Sequence, residues 1–210
     1  MKNTKFYLSL ILSIGLAWQL SAQDIKSSTK GFSANLSLVL GSWNSESNFM
    51  GDLDDIEPSG VGYSVKAGYG INQNIEVLLS YSRVGFVQEF DWDQYQLTTV
   101  DIGGRYNFGA TLRWFRPFLE GAISINNLVI DPITFDGSTL FELKSSGVGA
   151  AVGGGFHIFI IPNLSFNADG RIGFGNFGST SLSGTDVGDL GETLDFTTVR
   201  FNFGLTYFFE

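Results

Sequence analysis

Large apolar residues alternate with small or polar residues at the end of the chain. From Val199 to Phe209 the odd positions are Val, Phe, Phe, Leu, Tyr and Phe, while the even positions are polar or small except for Phe208. A period of two predicts a β-strand, because successive side chains point to opposite faces of a sheet. One apolar and one polar face are typical of a strand with oily surroundings on one side and a narrow polar space on the other.

Seven further segments show the same alternation. They span approximately residues 31–43, 60–70, 75–83, 95–108, 116–126, 145–158 and 164–174. In the sixth segment the polar face is almost free of side chains, since residues 147, 149, 151, 153 and 155 are Gly or Ala. Together with the final segment, 196–210, they predict an all-β protein, an eight-stranded antiparallel up-and-down transmembrane β-barrel.

The connections between these segments alternate strictly in length. Short turns fall at 70–74, 109–115 and 159–163, and long polar links fall at 44–59, 84–94, 127–144 and 175–195. Outer-membrane barrels keep their short turns in the periplasm and their long loops outside the cell. The alternation therefore predicts that both termini are periplasmic.

The first 22 residues have the pattern of a secretory signal peptide. Lys2 and Lys5 precede an apolar run from Phe6 to Trp18, and Ala22 is a suitable small residue before the cut. We therefore predict a signal peptide over 1–22, a periplasmic segment over 23–29 and a barrel over 30–210, located in the outer membrane of a Gram-negative cell.

Composition reduces the number of functions that the chain could have. The net charge of −9 becomes −11 once the two lysines of the predicted signal peptide are removed, which argues against a nucleic-acid partner. Cysteine is absent, so disulfide and thiol chemistry are excluded. No later stretch reaches 18 consecutive apolar residues, so any membrane crossing must use strands.

Fifteen of the 21 acidic residues fall in the four long links. They either keep solvated loop tips soluble or hold Ca²⁺ or Mg²⁺ at the cell surface. Neither the run at 52–55 nor the series at 186–195 has the spacing of an EF-hand, so we assign no metal site and no cofactor.

Aromatic residues gather near the predicted strand ends, where two belts are expected at the membrane interfaces. Those toward the long links are Trp43, Tyr81, Phe86, Trp92 and Tyr95, and those toward the short turns are Tyr69, Phe108, Trp114, Phe115, Phe159 and Tyr207.

The polar face of the strands carries four cations and four anions, predicted to lie in the lumen. These residues are Lys66, Glu76, Asp101, Arg105, Glu120, Asp169, Arg171 and Arg200. Side chains just fill an eight-stranded barrel, and buried charges need partners. The sequence therefore predicts a salt-bridge network that plugs the barrel, and the alternative is a gated ion path lined by the same residues.

A catalytic role is not expected. His157 is the one imidazole in the chain, and its parity places it on the inward face beside a short turn. A lipid-modifying barrel enzyme needs such a histidine near the lipid face at the outer leaflet, with a nucleophile or acid as partner. We therefore assign no catalytic residue.

A soluble lipocalin-like barrel also has eight strands. In such a barrel the apolar face of each strand would point inward. About forty large apolar residues would then have to fit into a space for roughly half of them. The membrane interpretation requires no such crowding.

The chain resembles the small outer-membrane barrels of the OmpA transmembrane-domain and OmpX type, and the outer membrane protein beta-barrel domain chains of Bacteroidota. The resemblance rests on the aromatic strand 199–209, on Arg116-Pro117-Phe118 and on the Gly-rich strand 147–155, and it covers about residues 30–210.

The resemblance implies partners and a role. The partners are the outer-membrane bilayer with its lipopolysaccharide and the barrel-assembly machinery. In the family this machinery recognises a final strand that ends in an aromatic residue, whereas here Glu210 follows the last aromatic residue. The assembly signal would comprise Phe201, Phe203, Leu205, Tyr207 and Phe209. The implied protein is a monomer with a structural or surface-interaction role, such as envelope integrity, adhesion or partner binding. The alternatives are a narrow porin-like passage and, third, a lipid A-modifying enzyme.

Overall fold

The structure is a computed structural model that describes residues 27–45, 59–86, 94–109, 114–133, 141–186 and 194–209. These ranges contain nine strands: β1 Gly31–Asn44, β2 Ser59–Gly70, β3 Ile75–Phe86, β4 Gln94–Asn107, β5 Phe115–Ile133, β6 Phe141–Ile161, β7 Leu164–Leu182, β8 Thr185–Asp186 and β9 Leu194–Phe208. Over the same residues no helix is long and apolar enough to cross a membrane.

Eight of the strands close into one antiparallel barrel. Each pairs with its neighbour along the chain, and β9 completes the cylinder by pairing with both β1 and β7. The two-residue β8 pairs only with the end of β7, through a turn in which Ser183 and Gly184 have positive φ angles of 47° and 80°. The predicted eight-stranded antiparallel up-and-down barrel is confirmed.

The two ends of the barrel differ. The short-turn end carries residues 27–30, Phe209, the connections at 71–74 and 162–163, and the described residues 108–109 and 114 between β4 and β5. The long-link end is where residues 46–58, 87–93, 134–140 and 187–193 attach, all of which lie outside the described residues.

The faces of the strands follow the predicted parity between the short-turn end and the middle of the barrel. On β9, Phe201 and Leu205 point outward and are about half exposed, while Arg200, Asn202 and Thr206 point inward and are 2–3% exposed. The outer wall therefore forms an apolar band, and the lumen behind it is polar.

Three strands are longer than the sequence analysis predicted. β5, β6 and β7 have 19, 21 and 19 residues, and they run through much of 127–144 and 175–195, which were predicted as loops. Asp131, Glu142, Asp186 and Asp195 consequently lie in strands. Since about 9–11 residues span a bilayer, the barrel continues well beyond the apolar band.

At the long-link end the polarity of the wall is inverted. We call this part the collar; it comprises residues 42–45, 59–60, 83–86, 94–98, 127–131, 141–146, 176–182 and 194–198. Its outward side chains include the polar residues Asn44, Arg83, Gln94, Gln96, Asn127, Lys144, Asn176, Asp195 and Thr197. An apolar cluster, here called the apolar seal, fills its interior and includes Val39 just below it: Val39, Trp43, Val84, Phe86, Tyr95, Leu97, Leu128, Ile130, Leu143, Phe177 and Phe196.

The inward and outward changes of polarity occur at the same level. On β3 the outward side changes from Tyr81 to Arg83, and the inward side changes from Ser82 to Val84. The register pairs these positions with Leu97 to Val100 on β4, where the same change occurs. A membrane-type wall is thus joined directly to a wall of the soluble type.

This inversion corrects part of the predicted aromatic belts. Trp43, Phe86, Tyr95 and Phe159 face inward and are 3–6% exposed, because the hydrophobic interior of the collar and a smaller aromatic layer at the other end enclose them. The remaining described members of the belts face outward: Tyr69, Tyr81, Phe108, Trp114, Phe115 and Tyr207. Trp92 lies outside the described residues.

Glycines on the inward face of β6 let β7 approach closely. A Cβ atom at Gly149 would lie 2.2 Å from the carbonyl oxygen of Phe174, and one at Gly155 would lie 2.2 Å from that of Ala168. Real Cβ atoms do not approach so closely, so the close approach of β7 to β6 requires residues without side chains at these positions.

Candidate functional site

The eight charged residues singled out in the sequence lie together in the middle of the lumen. All are 1–8% exposed, and every one takes part in an ion pair. Four cations and four anions make the group electrically neutral. The alternation of strand faces brings them together, since each sits on an inward position of β2, β3, β4, β5, β7 or β9.

Arg171 is the centre of this network. Its Nη1 lies 2.7 Å from Asp101 Oδ2 and 3.4 Å from Ser80 Oγ, and its Nε donates to Glu120 Oε1. Asp169 Oδ2 lies 3.7 Å from the same Nε. One guanidinium therefore links three carboxylates on three different strands.

The other cations extend the network to the whole width of the lumen. Lys66 Nζ lies 2.8 Å from Asp169 Oδ1, and Arg200 Nη1 lies 3.0 Å from Asp101 Oδ2. Arg105 bridges Glu120 and Glu76 at 3.0 Å and 3.3 Å, with its guanidinium 4.0 Å from the ring centre of Phe118. The eight residues thus form one connected set.

Hydroxyl and amide groups satisfy further oxygens of the carboxylates. Ser33 Oγ donates to Glu76 at 2.5 Å, Ser124 Oγ donates to Asp101 at 2.5 Å, and Asn202 Nδ2 donates to Asp169 at 2.6 Å. Buried charges persist only with such partners. The space beside Asp101, Glu120 and Arg171 measures about 10 Å³, which is room for roughly one water molecule.

An aromatic layer closes the lumen below the charges, toward the short-turn end. His157 is fully buried, with ring centres of Phe118, Phe208 and Phe159 at 4.9, 5.5 and 6.0 Å. Phe159 and Phe208 stack at 5.5 Å. The sequence analysis did not identify this layer.

A polar cap lies beneath the aromatic layer. Thr29 has no exposed surface, and its backbone N donates to Gln73 Oε1 at 2.9 Å. Arg116 Nη1 donates to Thr29 Oγ1 at 3.0 Å, and its Nη2 donates to the backbone carbonyl of Gln73. Ser28 N bonds the carbonyl of Pro162 at 3.4 Å. The residues just before β1 therefore fold across the short-turn end.

The hydrogen bonds of His157 define its tautomer. Arg105 Nη1 lies 3.1 Å from His157 Nε2, and Ser165 Oγ lies 2.9 Å from His157 Nδ1. A guanidinium only donates, so Nε2 accepts and Nδ1 carries the hydrogen that is donated to Ser165. A general base would instead accept the hydrogen of the serine, so this pair is oriented opposite to a Ser–His nucleophile.

The apolar seal closes the lumen above the charges. Trp43 and Tyr95 are joined by a hydrogen bond of 2.8 Å from Nε1 to the hydroxyl oxygen, and Trp43 and Phe177 meet edge to face at 6.3 Å. Phe177 and Phe196 lie 4.6 Å apart between ring centres. The described part of the lumen is therefore packed at three successive levels: apolar, charged and aromatic.

The predicted assembly residues lie on the outward face of β9 and, for Phe209, directly after its end. Phe201, Phe203, Leu205, Tyr207 and Phe209 are 41–52% exposed and form one continuous apolar stripe. Their recognition by an assembly machinery stays a prediction.

A closed eight-stranded antiparallel barrel with an apolar outer band and a charged, filled lumen has the architecture of a small outer-membrane barrel. Solved structures of that class match the chain. The barrel is similar to Neisserial surface protein A, with a TM-score of 0.62 and 17% identity over 86% of this chain and 98% of that one.

It is also similar to Ail, the attachment invasion locus protein of Yersinia pestis, with a TM-score of 0.52 and 13% identity over 85% of this chain and 99% of that one. A second Ail structure, in complex with the heparin analogue sucrose octasulfate, matches equally well. At these identities the likeness establishes the fold. No family model and no curated protein sequence matches the chain, so the finer OmpA or OmpX and Bacteroidota resemblance stays a prediction.

Proposed function

We propose that the protein is an integral outer-membrane barrel that conducts no solutes and acts through its surface. The observation that carries this proposal is the filled lumen, in which the apolar seal, the charge network and the aromatic layer lie one above another. A protein with this interior offers its collar and long links as the working surface.

The outer wall supports placement in a membrane. Thirty-three large hydrophobic residues of the described chain are exposed, whereas 16 hydrophobic residues are buried. A soluble monomer rarely exposes an apolar patch of more than a few hundred Å². In this proposal the collar and the long links face the outside of the cell, and both termini are periplasmic. The barrel-assembly machinery recognises the apolar stripe on β9.

Charge suggests the kind of partner. Most acidic residues of the chain fall in the links, and eleven of these fifteen lie outside the described residues. A surface of this sign favours cationic partners, with divalent cations as a further candidate. The neighbour Ail is described with a heparin analogue, which is a polyanion; we propose that this chain, being acidic, binds partners of opposite charge to that ligand.

The position and hydrogen bonding of His157 support a non-enzymatic role. His157 is buried inside the barrel, donates to Ser165, and lies at the short-turn end rather than in the lipid-facing wall. We therefore propose that it stabilises the aromatic layer. A monomeric barrel with a structural and surface-interaction role, in contact with lipopolysaccharide, is the function that these features support best.

The decisive experiment is reconstitution. The protein is refolded into liposomes, the barrel is verified by its heat-dependent gel mobility, and single-channel current and small-solute influx are recorded. We expect a folded and silent barrel. Discrete openings with selective influx would instead establish the porin-like alternative, and a chain that stays monomeric in water without detergent would exclude the membrane placement.

A second experiment tests the surface role. Cells that display the protein are compared on polylysine-coated and heparin-coated surfaces, with a variant in which Asp52, Asp54, Asp55 and Glu57 are replaced by their amides. We expect adhesion to polylysine that the variant weakens, and no adhesion to heparin. Equal adhesion of both forms would contradict a role for link charge.

A further inference from the structure

Arg83 lies on the outer wall at the level where the apolar band meets the collar. It is the first outward residue of the collar on β3, and the outward residue below it is Tyr81. The register places Tyr63 of β2 and Thr98 of β4 directly opposite Arg83. Residues paired in this way have their Cβ atoms about 5 Å apart. Arg83 therefore has a hydroxyl-bearing neighbour on each adjacent strand and another below it on its own strand.

The guanidinium of Arg83 is oriented by the protein but only partly used by it. Its Nε donates to Gln96 Oε1 at 2.8 Å, and its Nη2 donates to the same oxygen. A guanidinium has five N–H groups, so three remain after these two bonds within the described chain. Beside it, the rings of Tyr63 and Tyr81 lie 6.2 Å apart between centres, and both side chains are exposed. The donors of this part of the wall thus face the surroundings of the barrel.

The two cations of the collar differ in their partners. Lys144 Nζ lies 2.7 Å from Glu142 Oε1, so its charge is compensated within the protein. The described contact of Arg83 is the neutral amide of Gln96. Arg83 is therefore the collar cation that is suited to an anion from outside the protein. The acidic residues that favour cationic partners fall mainly in the long links, whereas Arg83 lies at the lower edge of the collar.

We propose that Arg83, with the hydroxyl groups of Tyr63, Tyr81 and Thr98 around it, binds the phosphate group of a membrane lipid. A guanidinium binds phosphate through charge-assisted N–H···O bonds, and hydroxyl groups donate further hydrogen bonds to the phosphate oxygens. Below this cluster the outward face is apolar; its next residue on β3 is Leu79, which is 52% exposed. One lipid can therefore place its phosphate on Arg83 and its acyl chains along the wall beneath.

The proposed orientation determines which lipid supplies the phosphate. The inference rests on the proposed function, in which the collar faces the outside of the cell and Arg83 lies at the level of the lipid headgroups. The lipid on that side is the lipopolysaccharide that the proposed function already brings into contact with the barrel, and its lipid A anchor carries phosphate groups. Arg83 is the point of the wall at which this lipid is held.

The test compares lipid A with the same lipid A after removal of its phosphate groups. The full chain is refolded in detergent micelles, equal amounts of the two lipids are added, and the bound lipid is measured by native mass spectrometry. We expect at least fivefold more of the phosphorylated lipid. Arg83→Gln removes the cation and keeps a polar side chain, and it should reduce this preference at least threefold. Arg83 is exposed and bonds one amide, so the variant should fold, which its heat-dependent gel mobility verifies.

Lys144→Gln is the matched control, because it removes the collar cation that already pairs with Glu142. It should keep the full preference for the phosphorylated lipid. Equal retention of both lipids would overturn the proposal, and this is the result expected if an acid of the link after β3 already neutralises Arg83. An unchanged preference in folded Arg83→Gln, or an equal loss in Lys144→Gln, would overturn it as well. These outcomes leave the membrane placement intact, because that placement fails only if the chain stays monomeric in water without detergent.

Discussion

The charge network makes a quantitative prediction about Arg171. The substitution Arg171→Met keeps much of the aliphatic volume and removes the cation that lies 2.7 Å from Asp101 and also bonds Glu120. The network then holds four anions and three cations in a lumen without bulk water. Breaking a buried pair by removing one partner costs about 3–5 kcal/mol, because the remaining charge is uncompensated.

The assay is urea unfolding of the refolded barrel, followed by heat-dependent gel mobility. With a slope of about 2 kcal/mol per molar urea, a loss of about 4 kcal/mol lowers the midpoint by about 2 M. The double variant Arg171→Met with Glu120→Gln removes one charge of each sign. We expect it to cost about 1–3 kcal/mol less than the sum of the two single variants, because the network becomes neutral again.

Arg83 supplies the matched control. It is an arginine on β3 that faces outward and bonds only Gln96 among the described contacts, with its Nε at 2.8 Å. Arg83→Met should leave the midpoint almost unchanged, since exposed polar contacts contribute little. The reasoning is refuted if Arg171→Met shifts the midpoint no more than Arg83→Met does, or if the double variant is strictly additive.

Three further outcomes follow from packing. Trp43→Ala should cost about 3–5 kcal/mol by opening a cavity in the apolar seal, whereas Trp114→Ala, half exposed at the short-turn end, should change the urea midpoint little. Tyr95→Phe leaves the indole N–H of Trp43 without its 2.8 Å acceptor and should cost about 1–3 kcal/mol; an unchanged midpoint would contradict this. Gly149→Ala should sharply lower the yield of refolded barrel, measured as the heat-modifiable fraction, because the new Cβ lies 2.2 Å from a carbonyl oxygen; Gly121→Ala, with 3.9 Å of space, should refold normally.

The number of strands could be predicted from the sequence, and so could which side chains point inward or outward below the collar. Both follow from the period of two. On β4, for example, Val100 and Ile102 alternate with Asp101, and Asp101 lies inside the barrel and is 2% exposed. The local pattern determines which side chains share a face, and barrel closure then brings faces on distant strands together.

The extent of the strands could not be predicted because the apolar parity changes within a strand. On β5, Ile123 and Ile125 are outward and odd-numbered, whereas Leu128 and Ile130 are inward and even-numbered. We interpreted the point at which the pattern broke as the end of the strand. A search for alternation with exchanged parity would have found the collar and placed Trp43, Phe86 and Tyr95 inside.

The individual contacts of the lumen depend on tertiary geometry. Which carboxylate each arginine meets is set by the stagger between strands, and Arg171 lies far from Asp101 and Glu120 along the chain. The cap formed by Thr29 and Arg116 was missed for the same reason, since residues before the first strand carried no period-two signal. The sequence indicated neighbours only within one strand face.

The apolar band also determines the thickness of bilayer that suits the protein. On β9 and the residue that follows it, the band spans eleven residues from Val199 to Phe209, which are ten steps along the chain. At about 3.4 Å per residue and a tilt of about 40° this corresponds to a height of about 26 Å. The bacterial outer membrane is thinner than average bilayers, so mismatch there is small. In a thicker membrane the surrounding lipids would have to compress, because the polar collar above the band cannot sink into hydrocarbon. The same polarity change that shapes the fold therefore fixes the immersion depth of the barrel.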